Sequence, residues 1–257
     1  MHRSSTSILV AALLSSACWA PRPANAPSPF AASTWGRAIA VQLDRPDQLA
    51  IAATTLAATA VLPEYDRRIN RDSAEDQTFT EGSTANGDAV AVALGVAATG
   101  LGAAHWIEGD GGRDAEVLLQ SFVLVDGVTE ALKHTVRRRR PADDGRDSFP
   151  SGHTSFAFTM ATFLQRSIAA DNDGLVDALS YLCYAPALYV GIDRSEANRH
   201  WPTDIAFGAF LGVFLTNVVW DAHYGEPDRP GLFGVRGLRL EPELQPDGAG
   251  IALAWTF

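Results

Sequence analysis

The sequence is short of positive charge: 20 Lys and Arg stand against 30 Asp and Glu, a formal net charge of -10 over 257 residues. A chain that binds nucleic acid carries a basic footprint, so no nucleic-acid partner is expected. Cysteine is nearly absent, with Cys18 and Cys183 alone. Once Cys18 leaves in a cleaved leader no internal disulfide can form, and Cys183, inside the apolar run YLCYAPALY, reads as a packing residue. The interior has no Ser/Pro-rich linker, which favours a single domain over 27–257. Hydrophobic residues make up 47% of the chain, enough to bury a sizeable core.

The N-terminus lacks a run long enough to cross a bilayer, since the apolar stretch from Ile8 to Leu14 falls well below the roughly 20 residues a spanning helix needs. What is there is a basic start at Arg3, that apolar stretch, and small residues leading to Ala24-Asn25-Ala26. This is the pattern of a secretory signal peptide over 1–26, so the mature chain is expected outside the cytoplasm, in the periplasm or cell envelope. Ser15 occupies the place where a lipoprotein signal has an aliphatic residue, which disfavours Cys18 as a lipid acceptor.

Apolar segments of helical length then recur, at about Leu49 to Leu62, Ala89 to Ile107, Val117 to Leu132, Gly152 to Ala170, Leu175 to Ile192 and Ile205 to Trp220. Gly, Pro or charge clusters bound each one, and each exceeds the length of a strand, so an all-α bundle of about six helices is expected over about 49–220. The polar stretch EYDRRINRDSAEDQTFTEGSTANGD reads as a long loop. After Trp220 the pattern changes. Ile251, Leu253, Trp255 and Phe257 alternate with small residues, and with Leu238, Leu240 and Leu244 they predict a β-hairpin over about 235–257, packed on the helices.

Bilayer placement has arguments on both sides. Ala89 to Ile107 is long enough to span, but Val117 to Leu132 carries Asp126 and Glu130, and the mean hydropathy of +0.01 is low for a polytopic membrane protein. Either an embedded or a soluble bundle fits.

Chemistry concentrates in three stretches. In the first, Lys133 is followed by four arginines, Arg137 to Arg140, and then Pro141, which stops a helix. Lys133 supplies a compact charge and Arg140 a planar fork for phosphate oxygens, or both are dipole-compensating charges at a helix end. The second is Pro150-Ser151-Gly152-His153, placed just before an apolar helix. Free N–H groups at a helix start make an anion cradle, Ser151 caps it or adds a hydroxyl, Gly152 permits close approach, and His153 is suited to proton transfer. A plain capping motif reads equally well. In the third, Arg194 precedes His200 and Asp204. If a helix begins at His200 or Trp201, His200 and Asp204 share a face, and the carboxylate takes one ring N–H while the other nitrogen is left as a nucleophile.

Taken together, Lys133-x6-Arg140-Pro141, Pro150-Ser151-Gly152-His153 and Arg194-x5-His200-x3-Asp204 resemble the three-part signature of the type-2 phosphatidic acid phosphatase and vanadium haloperoxidase superfamily. The resemblance implies a helical bundle gathering these residues about one phosphate. By it, Lys133, Arg140 and Arg194 neutralise the phosphate, Ser151 and the Gly152 N–H donate to it, His153 is the general acid, His200 the nucleophile and Asp204 its orienter. It implies no metal and no cofactor for a phosphatase. One departure is Asp193, where the family has serine; turned away from the anion, it would hold an arginine.

The expected activity is therefore metal-independent hydrolysis of phosphate monoesters or diphosphates through a phosphohistidine, on a phosphorylated, lipid-linked substrate, with membrane association. A periplasmic acid phosphatase on soluble esters is the alternative. A vanadium haloperoxidase would use the same residues in a generally much longer chain, and a non-catalytic envelope anion binder would need no nucleophile. The motif leaves Arg137, Arg138 and Arg139 unassigned; solvent, a second phosphate or an anionic lipid surface would each suit them.

Overall fold

The computed structural model describes residues 31–44, 53–55, 57, 59, 63–76, 85–109, 112–142, 145–170, 174–225, 236–245 and 248–256. The expected export signal with Cys18, and most of the helix expected at Leu49 to Leu62, lie outside these residues.

Among the described residues the fold is mostly helical. Eight named helices run α1 Ala32–Asp44, α2 Pro63–Asp76, α3 Ala85–Glu108, α4 Arg113–Val136, α5 Gly152–Ala170, α6 Gly174–Ser180, α7 Tyr184–Glu196 and α8 Pro202–Tyr224, with a 3-10 turn at Tyr181–Cys183 before α7. The expected helix at Leu49 to Leu62 lies mostly outside the described residues, so the eight arise from the other five expected helices by three differences. α1 is not anticipated by the sequence, and α2 forms inside the stretch expected to be loop, because charged residues dominate it and Tyr65, Ile69 and Ala74 are too few to announce a buried helix. The helix expected at Leu175 to Ile192 is divided into α6 and α7. Pro186 has no N–H for the carbonyl of Leu182 and its ring crowds that carbonyl, so the backbone tightens into the 3-10 turn and restarts with Pro186 in a first turn.

α5 lies at the centre, packed by α3, α4, α7 and α8. Its buried residues, from Thr154 to Ala169, surround the helix on all sides, as expected of a helix inside a bundle. Ala157, Met160, Ala161, Phe163 and Leu164 join Leu94 and Ala98 of α3, Val117 of α4, Val190 of α7 and Val219 and Trp220 of α8 in the main core. α1 adds a smaller cluster, in which Ala38 meets Val218 and Ala222.

The α5/α8 crossing is close enough to require glycine. A Cβ on Gly212 would lie 2.6 Å from the Ser155 carbonyl oxygen, and one on Gly208 would lie 2.7 Å from that of Ser151. The start of α5 is thereby pressed against the start of α8, which is where the second and third motifs meet.

Three stretches among the described residues are long and apolar enough to cross a membrane: Ala85–Glu108, Leu175–Glu196 and Pro202–Tyr224. α3 carries exposed Val92 and Val96, and the α6–α7 segment carries exposed Leu182 and Leu188. α4, with Asp126 and Glu130, is not among the three.

At the C-terminus Arg236–Gln245 pairs antiparallel with Gly248–Thr256, from Arg236 opposite Thr256 to Gln245 opposite Gly248. Packing of this ribbon on the helices, expected from the sequence, is not supported, and the helical fold stands without it.

Candidate active site

The first motif begins on α4, which ends at Val136, four residues before Arg140. Arg137 stops it by taking a left-handed conformation (φ 52°) and donating its N–H to the Lys133 carbonyl, so the turn does the work expected of Pro141. The chain then doubles back: Arg140 N–H donates to Gly145 O at 3.0 Å, and Ser148 N–H to Arg138 O at 3.1 Å. This return carries the chain to α5, whose first residue is Gly152.

The second and third motifs are tied through the backbone. Ser151 N–H donates to the Asp204 carbonyl at 3.1 Å, while the Arg194 carbonyl accepts from both Arg199 N–H (3.0 Å) and His200 N–H (3.3 Å). Arg194 therefore fixes where His200 leaves the end of α7. α8 begins at Pro202 with Trp201 extended before it.

These connections bring the three motifs near one another, but of the expected residues Lys133, Gly152 and His153 line a common cavity while Arg140, Ser151, Arg194, His200 and Asp204 do not line it. Lys133 Nζ lies 3.0 Å from where a Cβ on Gly152 would be, so the ammonium sits against the start of α5. Lys133, Gly152 and His153 line one cavity of about 400 Å³ together with Asp88, Asp126, Glu130, Ala91, Val92 and Phe156. His153 Nε2 stands 3.2 Å from Asp88 Oδ1, which also accepts from Arg194 Nη2 at 2.9 Å. Ser151 is fully buried, with its hydroxyl 2.9 Å from Thr154 Oγ1.

Each of the three motif cations has a carboxylate partner. Lys133 donates to Glu130 at 2.6 Å, Arg140 makes a two-pronged contact with Asp147 (2.9 and 2.7 Å), and Arg194 contacts Asp88 and, at 2.8 Å, Asp193. Asp193 is wholly buried and holds its neighbour Arg194, which is the arrangement expected for the residue that departs from the family pattern. Its hydrogen bond to Arg140, above all, holds the Asp147 carboxyl below the usual range.

His200 is 3% exposed, and its Nδ1 is 2.7 Å from the Ser148 carbonyl oxygen. A carbonyl only accepts, so Nδ1 carries the proton and Nε2 keeps its lone pair. Burial pushes the His200 pKa down to about 3; the Ser148 hydrogen bond opposes this, and the charges of Arg140 and Lys133 add to it. The imidazole is therefore neutral at any ordinary pH. His153, half exposed, is also lowered from 6.5, first by burial and then by Arg194, with Asp88 opposing.

The expected His200–Asp204 hydrogen bond is not formed. α8 starts two residues after His200, so the pair is not i and i+4 of one helix. Asp204 is instead the third helical residue, and its Oδ2 turns back to the Trp201 N–H at 3.0 Å in the manner of a capping box. The same oxygen accepts from Ser148 Oγ at 2.5 Å, and Oδ1 accepts from Arg138 Nη1 at 2.5 Å. Among the described residues Asp204 makes no side-chain hydrogen bond to the His200 ring, and is linked to it through Ser148 and the Trp201 N–H.

Sequence reasoning did not single out Ser148, Asp66 or Thr203, left Arg138 unassigned, and did not place Asp88 or Asp147 at the site. Arg138 contacts Asp66 as well as Asp204, and donates to Thr203 Oγ1 at 2.7 Å. Serine at 148 and Arg138 lie between motif residues, a weak signal; Asp66, in a polar helix far back in the chain, had none. Among the described residues no group of three His, Cys, Asp or Glu side chains is placed to hold a metal ion.

The family model described as PAP2 superfamily matches residues 116–227. A lipid A 1-phosphatase from Porphyromonas gingivalis is 34% identical over 94 residues, covering 37% of this chain and 20% of that protein. A probable diacylglycerol pyrophosphate phosphatase 1 from Schizosaccharomyces pombe is 37% identical over 84 residues, covering 30% of each. The chain thus spans less than a third of the length of either relative. Among solved structures, Aquifex aeolicus LpxE aligns over 60% of this chain and 93% of its own with 22% identity and a TM-score of 0.47.

Proposed function

We propose that this chain, a PAP2 superfamily member by its residues 116–227, is a phosphatase that hydrolyses a lipid-linked phosphate through a phosphohistidine on His200. The observation that carries the reading is the state of His200: buried and neutral, with Nδ1 tied to Ser148, Nε2 bearing the lone pair, and the ring within the field of Arg140 and Lys133.

The chemistry follows from these groups. A substrate phosphate settles among Lys133, Arg140 and Arg194, and competes there with Glu130, Asp147 and Asp88. The N–H groups at the start of α5 and the Ser151 hydroxyl add donors. His200 Nε2 attacks phosphorus in line with the leaving oxygen. The bond to that oxygen breaks, and protonated His153 gives it a proton. The neutral His153 then takes a proton from water as the water attacks the phosphohistidine, releasing inorganic phosphate and restoring both rings. Three cations offset the charge on the equatorial oxygens throughout. No step needs a metal.

The lipid-linked substrate is supported by the three helices able to span a membrane, by the exposed apolar side chains of α3 and the α6–α7 segment, and by the lipid substrates in the relatives' names. The active site then faces the outside of the cytoplasmic membrane, consistent with the secretory signal read at 1–26. Fractionation of cells, with phosphate release measured in chelator on a lipid phosphate and on a soluble aryl phosphate, tests the reading. Activity in the membrane fraction that is greater on the lipid is expected. A protein released by osmotic shock, fully active on the soluble ester and no better on lipid, contradicts the lipid assignment.

A further inference from the structure

Arg138 belongs to no part of the three-part motif, and Asp66 sits on a helix whose sequence reads as loop, yet the two meet beneath the nucleophile. Asp66 is 1% exposed. Its Oδ2 accepts from Arg138 Nη2 and, at 2.6 Å, from Thr203 Oγ1, while its Oδ1 accepts from Thr203 N–H at 3.1 Å. Thr203 is the second residue of α8, and its N–H is one of those that a helix start leaves unpaired. Asp66 thus caps α8 from a helix 137 residues away in sequence, adding a negative charge where the helix dipole favours one.

Arg138 joins this cap to the nucleophile. Its Nη1 reaches Thr203 Oγ1 at 2.7 Å and Asp204 Oδ1 at 2.5 Å, its backbone carbonyl accepts from Ser148 N–H at 3.1 Å, and its guanidinium lies 5.6 Å from the centre of the Trp201 ring. Asp204 in turn accepts from Ser148 Oγ, and the Ser148 carbonyl accepts from His200 Nδ1–H. Side chain and backbone of Arg138 therefore converge on the one residue that sets the tautomer of His200. A lysine could not reproduce this, because one ammonium cannot offer two nitrogens in a fixed plane to two carboxylates.

We propose that Asp66 and Arg138 are positioning residues that act through Asp204 and Ser148 to hold His200 with Nδ1 protonated and Nε2 aimed at the phosphate. The inference rests on the reading of His200 as the nucleophile. Neither residue is among the phosphate's direct partners, so removing either should alter the nucleophile and spare phosphate binding.

The experiment uses the full chain and three variants, Asp66→Asn, Arg138→Lys and Arg138→Gln, with two readouts. In ¹⁵N-histidine NMR, wild-type His200 should show a protonated Nδ1 and an unprotonated Nε2, and the Asp66 and Arg138 variants should show tautomer mixing. This readout needs no turnover, so it tests the positioning claim even if the substrate assignment fails. In kinetics per folded molecule, kcat on a phosphate ester should fall by about 10²-fold, the order expected for a misplaced reacting group. Inhibition by inorganic phosphate should stay within about twofold of wild type, the allowance made for sites with no shared partner. Arg138→Lys should recover less than a tenth of the lost rate. Wild-type tautomer signals in folded Asp66→Asn and Arg138→Lys overturn the proposal, as does a kcat equal to wild type in both. If Asp66→Asn does not fold, the two Arg138 variants decide by the same criteria. A fall in kcat matched by an equal loss of phosphate inhibition also overturns it, since that pattern belongs to general loosening of the site. A wild-type chain with the predicted tautomer but no phosphatase activity overturns the function reading and leaves the positioning claim standing.

Discussion

His200 Nδ1–H donates a hydrogen bond to the backbone carbonyl of Ser148 across 2.7 Å. A backbone acceptor carries no net charge, so it orients the ring without placing a carboxylate beside a group that must meet a phosphate. Burial keeps the ring neutral, with its pKa down to about 3, and a neutral ring is the nucleophilic form. The carboxylate expected to orient it, Asp204, acts one residue removed.

The pH dependence should follow His153, because His200 stays neutral until about pH 3. His153 must be protonated to act as the acid, and its pKa in the free protein lies below 6.5. kcat/KM should therefore be high at acidic pH and fall as pH rises through that lowered value. Asp88 raises the His153 pKa from 3.2 Å, so Asp88→Asn should move the falling limb to lower pH. A limb that stays put, or moves up, separates His153 from the acid role.

His153→Ala should slow alkyl phosphates by about 10²–10⁴-fold, the usual worth of a general acid, and activated aryl phosphates much less. The measurement is the slope of log kcat/KM against leaving-group pKa, which should steepen. Equal losses on both substrates contradict the assignment.

Ser148→Ala keeps the carbonyl that His200 uses but removes the hydroxyl donated to Asp204 at 2.5 Å. A buried carboxylate deprived of one donor should cost about 1–3 kcal/mol of stability, read as a lower denaturant midpoint. The rate should fall less than in Asp204→Asn, which disturbs Ser148, Trp201 N–H and Arg138 together. A larger rate loss in Ser148→Ala than in Asp204→Asn contradicts this order.

Gly212→Ala places a methyl 2.6 Å from the Ser155 carbonyl oxygen and 2.9 Å from Thr159 N on the facing helix. Backbone cannot step aside as a side chain can, so a loss of about 1–3 kcal/mol is expected. Gly100→Ala, where a Cβ meets nothing within 4 Å, is the control and should be neutral or slightly stabilising. Thermal unfolding checks both.

Much of this was legible in the chain, for identifiable reasons. The bounds expected for α5, Gly152 and Ala170, match the structure because a capping tetrad opens it and a mainly apolar stretch free of Gly and Pro follows. Lys133, Gly152 and His153 line one cavity, and Arg194 is joined to His153 through Asp88, as the motif order and the packing of α4, α5, α7 and α8 allow. Asp204 was placed but given the wrong contact, since one residue of uncertainty in a helix start decides whether a side chain faces back to the cap or across to a neighbour. Asp66 was out of reach. Its partners Arg138 and Thr203 lie 72 and 137 residues away, and the apolar Tyr65 and Ile69 of its helix are exposed, so hydrophobic patterning points away from the inward carboxylate.

The central claim is a phosphate covalently held on His200. Acid-labile, alkali-stable label should appear on the full chain within one turnover of a ³²P-labelled substrate in chelator, map to the peptide containing His200, and vanish in His200→Ala together with turnover. Label on another residue, or His200→Ala turning over near the wild-type rate, would contradict the account.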